Sequence, residues 1–404
     1  MSRSDSRSEH LKPPLCRLAG RIGALTGWLW QRGARRLVVM AMLATASIVG
    51  AQPAPTVSAR AWLLLDYSSG QILASEEPDR KIEPASLTKL MTAYLSFQAI
   101  AQGTLKPDQL IPVSERAWKA EGSRMFIEPG KPASVEQLLY GVIVQSGNDA
   151  CIALAEAIAG SEEQFAAMMN REAGRLGMRN TRFMNSTGLP HPEHRSTARD
   201  LAILVSALIR DHPRFYRIYS TRDYTYNGIT QPNRNRLLWV DPTVDGVKTG
   251  HTEGAGYCLI ASAQRGPRRL VAVVLGASSD NVRAQDALKL LNHGFQSYDT
   301  VTLYKAGEAL RRLRLFKGEQ SEVGAGFPAG LTLSLPKGQS ERLKASWSSV
   351  QPLVAPIRQG QQVGTLKLEL DGRSLGEYPV LALESVAPAG WLGRLWDSIR
   401  LWLQ

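Results

Sequence analysis

The placement of apolar strand-like runs limits this fold more than any other feature. AWLLLD (61–66) comes early, and GYCLIASA (256–263) and RLVAVVLGA (269–277) come late. Helical periodicity fills the interval at 86–101, 135–145, 149–159, 162–176 and 197–210, and returns from about 281 to 297. Apolar strands at both ends with helices between them predict one sheet that joins the two ends and is flanked by helices. The reading is an α/β or α+β domain over about residues 57–299. Within it AWLLLDYSSGQILAS reads as a hairpin with its turn at Ser68-Ser69-Gly70. From about 300 to 386 the pattern becomes short alternating strands, such as GLTLSLP and GTLKLEL, divided by Gly and Pro, which predicts a small β domain. At 404 residues the chain is long enough for two or three domains.

The two ends of the chain read differently. Residues 1–51 hold eight Lys/Arg against Asp5 and Glu9, and so carry +6 of the total +12. Arg32, Arg35 and Arg36 precede the apolar run LVVMAMLATASIVGA, which closes on Val49-Gly50-Ala51. A basic segment, a short apolar run and small residues at its end predict a secretory signal peptide over 1–51. The run is short against the ~20 residues of a spanning helix, and an uncleaved anchor is the alternative. Of the three cysteines, Cys16 goes with the leader; Cys151 and Cys258 allow one bridge at most, and the sequence does not decide whether they pair.

At the other end, in residues 389–404, Leu392, Leu395, Trp396, Ile399, Trp402 and Leu403 recur at helical spacing, with Arg394, Asp397, Ser398 and Gln404 largely opposite. A helix of that length reaches only about 24 Å at 1.5 Å per residue, short of a bilayer core of roughly 30 Å. The expectation is an amphipathic helix lying in a membrane surface, with docking on the protein itself as the alternative. The mildly basic remainder of the chain suits an anionic envelope surface, and no Lys/Arg block interleaved with aromatics argues for nucleic acid.

The chemistry begins at PASLTKLMTAYL. Leu87, Leu90, Met91, Tyr94 and Leu95 give a buried helix, yet Lys89 falls in its first turn, where an unpartnered ammonium is costly. Ser86 and Lys89 are i and i+3, neighbours on one helix face. A serine hydroxyl is a weak nucleophile unless a base takes its proton, and a lysine serves as that base only when neutral. Desolvation and a second cation both favour the neutral amine. Ser334-Leu335-Pro336-Lys337 repeats the pattern in the β region, but Pro336 works against the helix that would align the pair. Two further strings accompany the first. Ser146-Gly147-Asn148 supplies a hydroxyl and an amide between two helical patterns. Lys248-Thr249-Gly250 supplies a cation, a hydroxyl and a residue without a side chain, which lets a substrate backbone lie along a strand edge.

The ordered set S-x-x-K, S-x-N, K-T-G resembles the serine penicillin-recognising enzymes. With QSGNDACIALAE, RFMNSTGLP, STARDLA, NRNRLLW, DGVKTGHTEGAGYCLIASA and LGASSD, the finer resemblance over about 57–299 is to the low-molecular-mass penicillin-binding proteins that are D-alanyl-D-alanine carboxypeptidases. The trailing β region and apolar C-terminal helix match that family's layout. The resemblance implies a β-lactamase/transpeptidase-like domain, with helices around an antiparallel sheet. It implies removal of the terminal D-alanine from peptidoglycan stem pentapeptides, acylation by β-lactams, no cofactor, and a periplasmic location on the cytoplasmic membrane. It makes Ser86 the acylated nucleophile, Lys89 its base, and Ser146 a proton relay to the leaving D-alanine. Asn148 holds the substrate amide. Lys248 adds positive charge and Thr249 binds the terminal carboxylate. The backbone N–H groups of Ser86 and His251 form the oxyanion hole. Arg234 is either a second carboxylate contact or a surface arginine.

Several signals have plainer readings. Ser279-Asp280-Asn281 spells a β-lactamase-like S-D-N but follows K-T-G and precedes a helix, so it reads as a cap. His191-Pro192-Glu193-His194 reads as a solvated loop rather than a metal pair, and Cys151 as a small buried residue. A β-lactamase, with aspartate in place of Gly147, a D,D-endopeptidase and a wall-binding module with a decayed site are the alternatives. The loop at 185–199 is where a deacylating base is sought.

Overall fold

The computed structural model describes residues 55–402, so the leader expected over 1–51 lies outside them, as do Leu403 and Gln404. Strands β1 (Ala61–Asp66) and β2 (Ile72–Glu76) form the first hairpin. Asp66 Oδ1 accepts from the N–H groups of Ser68 (2.9 Å) and Ser69 (3.3 Å) to tie its turn. All six residues of β1 are buried because both its faces are covered. Ala61, Leu63 and Leu65 point into one core and Trp62 and Leu64 into a second, as the two-residue period requires. An unbroken apolar run, rather than an alternating one, is the sequence mark of such a strand.

Helices α1 (Lys89–Ala101), α2 (Val135–Tyr140), α3 (Asn148–Ala159), α4 (Glu162–Leu176) and α5 (Ala198–Asp211) follow. Helix α1 is buried on nearly every side, through Leu90, Met91, Tyr94 and Phe97, so it forms the centre of the helical layer. Ser161 and Thr197 cap α4 and α5 with their side-chain oxygens. A small hairpin, β3 (Asp223–Tyr226) and β4 (Ile229–Pro232), leads to β5 (Val244–Thr252), β6 (Gly256–Arg265) and β7 (Arg268–Ala277). The sheet runs β2-β1-β7-β6-β5 and every pair is antiparallel, so the first strand closes against the last and β5 is left as a free edge. Helix α6 (Asp280–Ser297) covers the far face. Ser279 accepts from Val282 N at 3.2 Å, the cap expected of the S-D-N string.

The remaining strands are β8 (Tyr298–Tyr304), β9 (Ala309–Phe316), β10 (Glu322–Gly326), β11 (Leu331–Pro336), β12 (Leu343–Ser349), β13 (Leu353–Val354), β14 (Gln362–Leu370) and β15 (Arg373–Ala382). Six of them form one sheet, in the order β12-β14-β15-β10-β9-β13, while β8 pairs with β11. They enclose their own apolar core around Leu333, Val363, Leu366 and Val380. The second S-x-x-K string lies in and just beyond β11, as an extended strand and not a helix. Its Ser334 instead bonds Ser69 Oγ at 2.8 Å and Gln71 Oε1 at 2.5 Å, joining the β region to the first hairpin.

Helix α7 (Trp391–Trp402) ends the described chain. It is held to the β region through its polar side, with Asp397 Oδ2 accepting from Lys317 N at 2.6 Å. Trp391, Leu392, Leu395, Trp396, Ile399 and Trp402 are all exposed. Docking through the polar side leaves the apolar side outward, the reverse of an ordinary surface helix. Among the described residues no helix is long and apolar enough to cross a membrane.

Candidate active site

The serine of S-x-x-K sits in a tight turn, Ala85–Thr88, that runs directly into α1. Lys89 is 1% exposed. Its Nζ lies 2.7 Å from Asn148 Oδ1, 2.6 Å from the Thr187 carbonyl and 3.0 Å from Ser86 Oγ. A neutral amine has two N–H bonds and one lone pair. The amide and carbonyl oxygens can only accept, so they take the two N–H bonds and leave the lone pair facing the serine hydroxyl. Burial is the main cause that brings this lysine down to about 8, and the positive charge of Arg234 acts in the same direction.

The facing wall comes from the residues around Ser146. After α2 the helix widens into a π turn at Gly141–Gln145, and Ser146 follows in the left-handed region, at φ 62° and ψ 34°. Such a conformation is strained for a residue with a side chain and concentrates at functional sites. Here it places the Ser146 hydroxyl 2.9 Å from Lys248 Nζ. Lys248 is also buried, and its pKa falls well below the ordinary lysine value through burial first and the neighbouring Lys89 second. Asn148 bridges two walls, since its Nδ2 donates to Glu121 O at 2.6 Å while its Oδ1 receives Lys89.

Lys248-Thr249-Gly250 is itself part of the edge strand β5, not only its approach. Thr249 is buried beside Lys248. A Cβ built on Gly250 would stand 3.1 Å from Pro84 O and 3.2 Å from Ser86 N, so the strand passes directly against the turn that carries Ser86. His251 is exposed, and its ring packs at a tilt against Tyr257, 4.1 Å between centroids, rather than joining the cluster. Arg234 is exposed and has no hydrogen-bond partner among the described residues, yet its charge lowers both Lys89 and Lys248. Ser86, Lys89, Ser146, Asn148, Lys248, Thr249 and Gly250 therefore line one cleft, and Arg234 overlooks it.

Other residues escaped the sequence reading. The buried Asp149 carboxylate accepts from the N–H groups of Met125, Phe126 and Ile127, fixing a loop against the cleft. Glu162 receives the N–H and hydroxyl of Ser186, one residue before the carbonyl that holds Lys89. The 191–194 loop is solvated only in part, which corrects the expectation. His191 is exposed, but His194 is buried with Nε2 2.9 Å from Thr88 Oγ1, and burial pushes it down to about 4. Among the described residues no three His, Cys, Asp or Glu cluster as for a metal. Cys151 and Cys258 are free and buried, and burial raises the Cys151 thiol to about 12. The signal that could have found Asp149 is the D of S-G-N-D, but in the first turn of α3 an acidic residue also has an ordinary helix-dipole role.

A serine hydroxyl within hydrogen-bond reach of a buried lysine, beside a strand edge on a helix-covered antiparallel sheet, is the arrangement of a serine acyl-transfer enzyme of the penicillin-recognising class. The family model described as D-alanyl-D-alanine carboxypeptidase matches residues 48–279, and one described as the penicillin-binding protein 5 C-terminal domain matches 298–388. The chain is 46% identical to the D-alanyl-D-alanine carboxypeptidase DacC of Escherichia coli K12, over 86% of this chain and 89% of that one. Penicillin-binding protein 5 from Haemophilus influenzae superimposes with a TM-score of 0.80 at 39% identity, covering 84% of this chain and 100% of that one. Penicillin-binding protein D2 from Listeria monocytogenes, solved in an ampicillin-bound form, gives 0.56 at 32% identity over 60% of this chain and 100% of that one. The chain belongs to the D-alanyl-D-alanine carboxypeptidase family.

Proposed function

We propose that this serine D-alanyl-D-alanine carboxypeptidase works through an acyl-enzyme on Ser86. The observation that carries the reading is the cradle around Lys89, whose two N–H bonds are occupied and whose lone pair faces Ser86 Oγ at 3.0 Å. Lys89 takes the hydroxyl proton as Oγ attacks the carbonyl of the penultimate D-alanine of a peptidoglycan stem pentapeptide. The backbone N–H groups of Ser86 and His251 receive the oxyanion. Ser146, held by Lys248, passes a proton to the leaving nitrogen. Thr249, Lys248 and Arg234 hold the terminal carboxylate, Asn148 holds the acyl amide, and Gly250 keeps the strand edge open to the peptide. D-Alanine leaves, and water then clears the ester. β-Lactams acylate the same serine because their ring amide and carboxylate occupy the same positions.

In this reading residues 57–299 are the catalytic domain, 300–386 a small β domain, and 389–404 a peripheral anchor on the outer face of the cytoplasmic membrane after export by the leader 1–51. The outward apolar side of α7 supports the anchor. The test of the chemistry is a time course of intact mass with benzylpenicillin, followed by peptide mapping. A lasting adduct on Ser86 is expected. Loss of penicillin without an adduct would mean a β-lactamase, and an unchanged protein with intact penicillin would leave a binding module.

A further inference from the structure

Phe126 has φ 69°, a left-handed conformation that bulky residues rarely adopt, and the residue is 39% exposed. Local sequence does not explain this, because the strain is imposed from outside. Asp149 takes the N–H groups of Met125 (3.0 Å), Phe126 (2.8 Å) and Ile127 (3.3 Å), and Gln231 of β4 donates to Arg124 O at 3.0 Å. A turn held in a costly shape by a buried carboxylate is an observed outlier that calls for a use. What it displays is a cation on an aromatic face, with the Arg124 guanidinium 5.3 Å from the Phe126 ring centroid. Arg124 has no acidic partner among the described residues.

The position is close to the chemistry. Ser123, next to Arg124, accepts from Asn148 N at 2.7 Å, and Asn148 holds Lys89. On the other side, Gln231 lies three residues before Arg234, so β4 ties the turn to the arginine that overlooks the cleft. Two guanidinium groups, Arg234 exposed and Arg124 half-buried, are thus tied to the cleft by separate elements. Arg234 is assigned to the terminal carboxylate above, which leaves Arg124 for the acyl side. We infer that Arg124, steadied by the Phe126 ring, is a specificity-determining residue that binds a free carboxylate on the acyl part of the stem peptide. A planar fork of N–H donors suits that group. The inference rests on the D,D-carboxypeptidase reading.

The probe is a pair of peptides, N-acetyl-γ-D-glutamyl-(Nε-acetyl)-L-lysyl-D-alanyl-D-alanine with the glutamyl α-carboxyl either free or as the carboxamide. D-Alanine release gives kcat and KM for each. The wild-type protein is expected to show a KM about three- to fivefold lower for the free acid, the range of a partly exposed ion pair. That gap should shrink between about 50 mM and about 500 mM salt. In Arg124→Gln the gap should close while kcat and the carboxamide KM stay put, and Arg124→Lys should retain part of it. Unchanged acylation of Arg124→Gln by benzylpenicillin checks that its cleft is intact. Equal KM values for the two peptides in wild type, or a gap that survives Arg124→Gln, overturn the inference and leave the carboxypeptidase standing. Release of D-alanine from neither peptide by wild type overturns both.

Discussion

Acylation by benzylpenicillin should rise with pH as Lys89 loses its proton, with a midpoint near 8, where burial above all, with the charge of Arg234 acting in the same direction, brings its amine. At pH 7 such a group is neutral in about a tenth of molecules, which is about 300-fold more than an ordinary lysine allows. Replacing Arg234 with glutamine removes a positive charge that helps expel the proton, so the midpoint should move to higher pH and the rate at pH 7 should fall. Loss of a carboxylate contact would lower the plateau without moving the midpoint, so the two roles of Arg234 separate in one profile. Stopped-flow acylation from pH 5.5 to 10 measures both. A flat wild-type profile, or an unchanged midpoint in Arg234→Gln, would refute the reasoning. The same displacement has a stability counterpart. The unfolded chain keeps the Lys89 proton up to about 10.5, whereas the folded chain releases it near 8. Between those values the unfolded state binds more protons, so this term makes stability rise with pH, by about 3 kcal/mol in all. Below about pH 8 the folded protein carries the full penalty.

Three further outcomes follow from other contacts. Gly188 has φ 87°, and a Cβ there would fall 1.8 Å from Ala85 O, so Gly188→Ala should cost at least about 2 kcal/mol and slow acylation. Chemical denaturation and acylation kinetics measure the two effects, and a fully stable, fully active variant would contradict the close packing. Asp149→Asn weakens the anchorage of residues 125–127 and should cost about 2–4 kcal/mol, read from denaturation midpoints at constant slope. A protein ending at Pro388 should keep its penicillin acylation and leave the membrane fraction. If it still sediments with membranes, α7 is not the anchor.

The helices were legible because their apolar spacing and caps are local. The 162–176 pattern coincides with α4, and the Ser279 cap holds α6. The first hairpin and the two late strands were legible because strands buried on both faces are nearly continuous in apolar residues. Edge strand β5 was harder to see. DGVKTGHT carries a buried lysine and two glycines whose surroundings are long-range, so its pattern is not that of a strand. The order of Ser86, Lys89, Ser146, Asn148 and Lys248 along the chain was visible, but not what orients the Lys89 amine towards Ser86. The Thr187 carbonyl is a backbone group with no sequence signature, and it reaches Lys89 from a loop almost a hundred residues away. Asp149 and His194 were missed for a related reason. One satisfies backbone N–H groups and the other a buried hydroxyl, and neither pattern is periodic.

The turn that carries Ser86 is confined from two sides by residues lacking side chains, Gly188 against Ala85 O and Gly250 against Pro84 O and Ser86 N. This bears on how such a site can change under selection by antibiotics. A Cβ at Gly188 would drive into the Ala85 carbonyl, and one at Gly250 would press on Pro84 O and Ser86 N. A larger residue at either position disturbs the native reaction together with the drug contact and offers a poor route to escaping a drug while keeping the peptide. Adaptive variation should therefore accumulate at exposed positions on the outer loops of the cleft, such as Glu121, Phe126, Asn227 and Thr230, where side chains meet solvent and the reacting atoms stay in place.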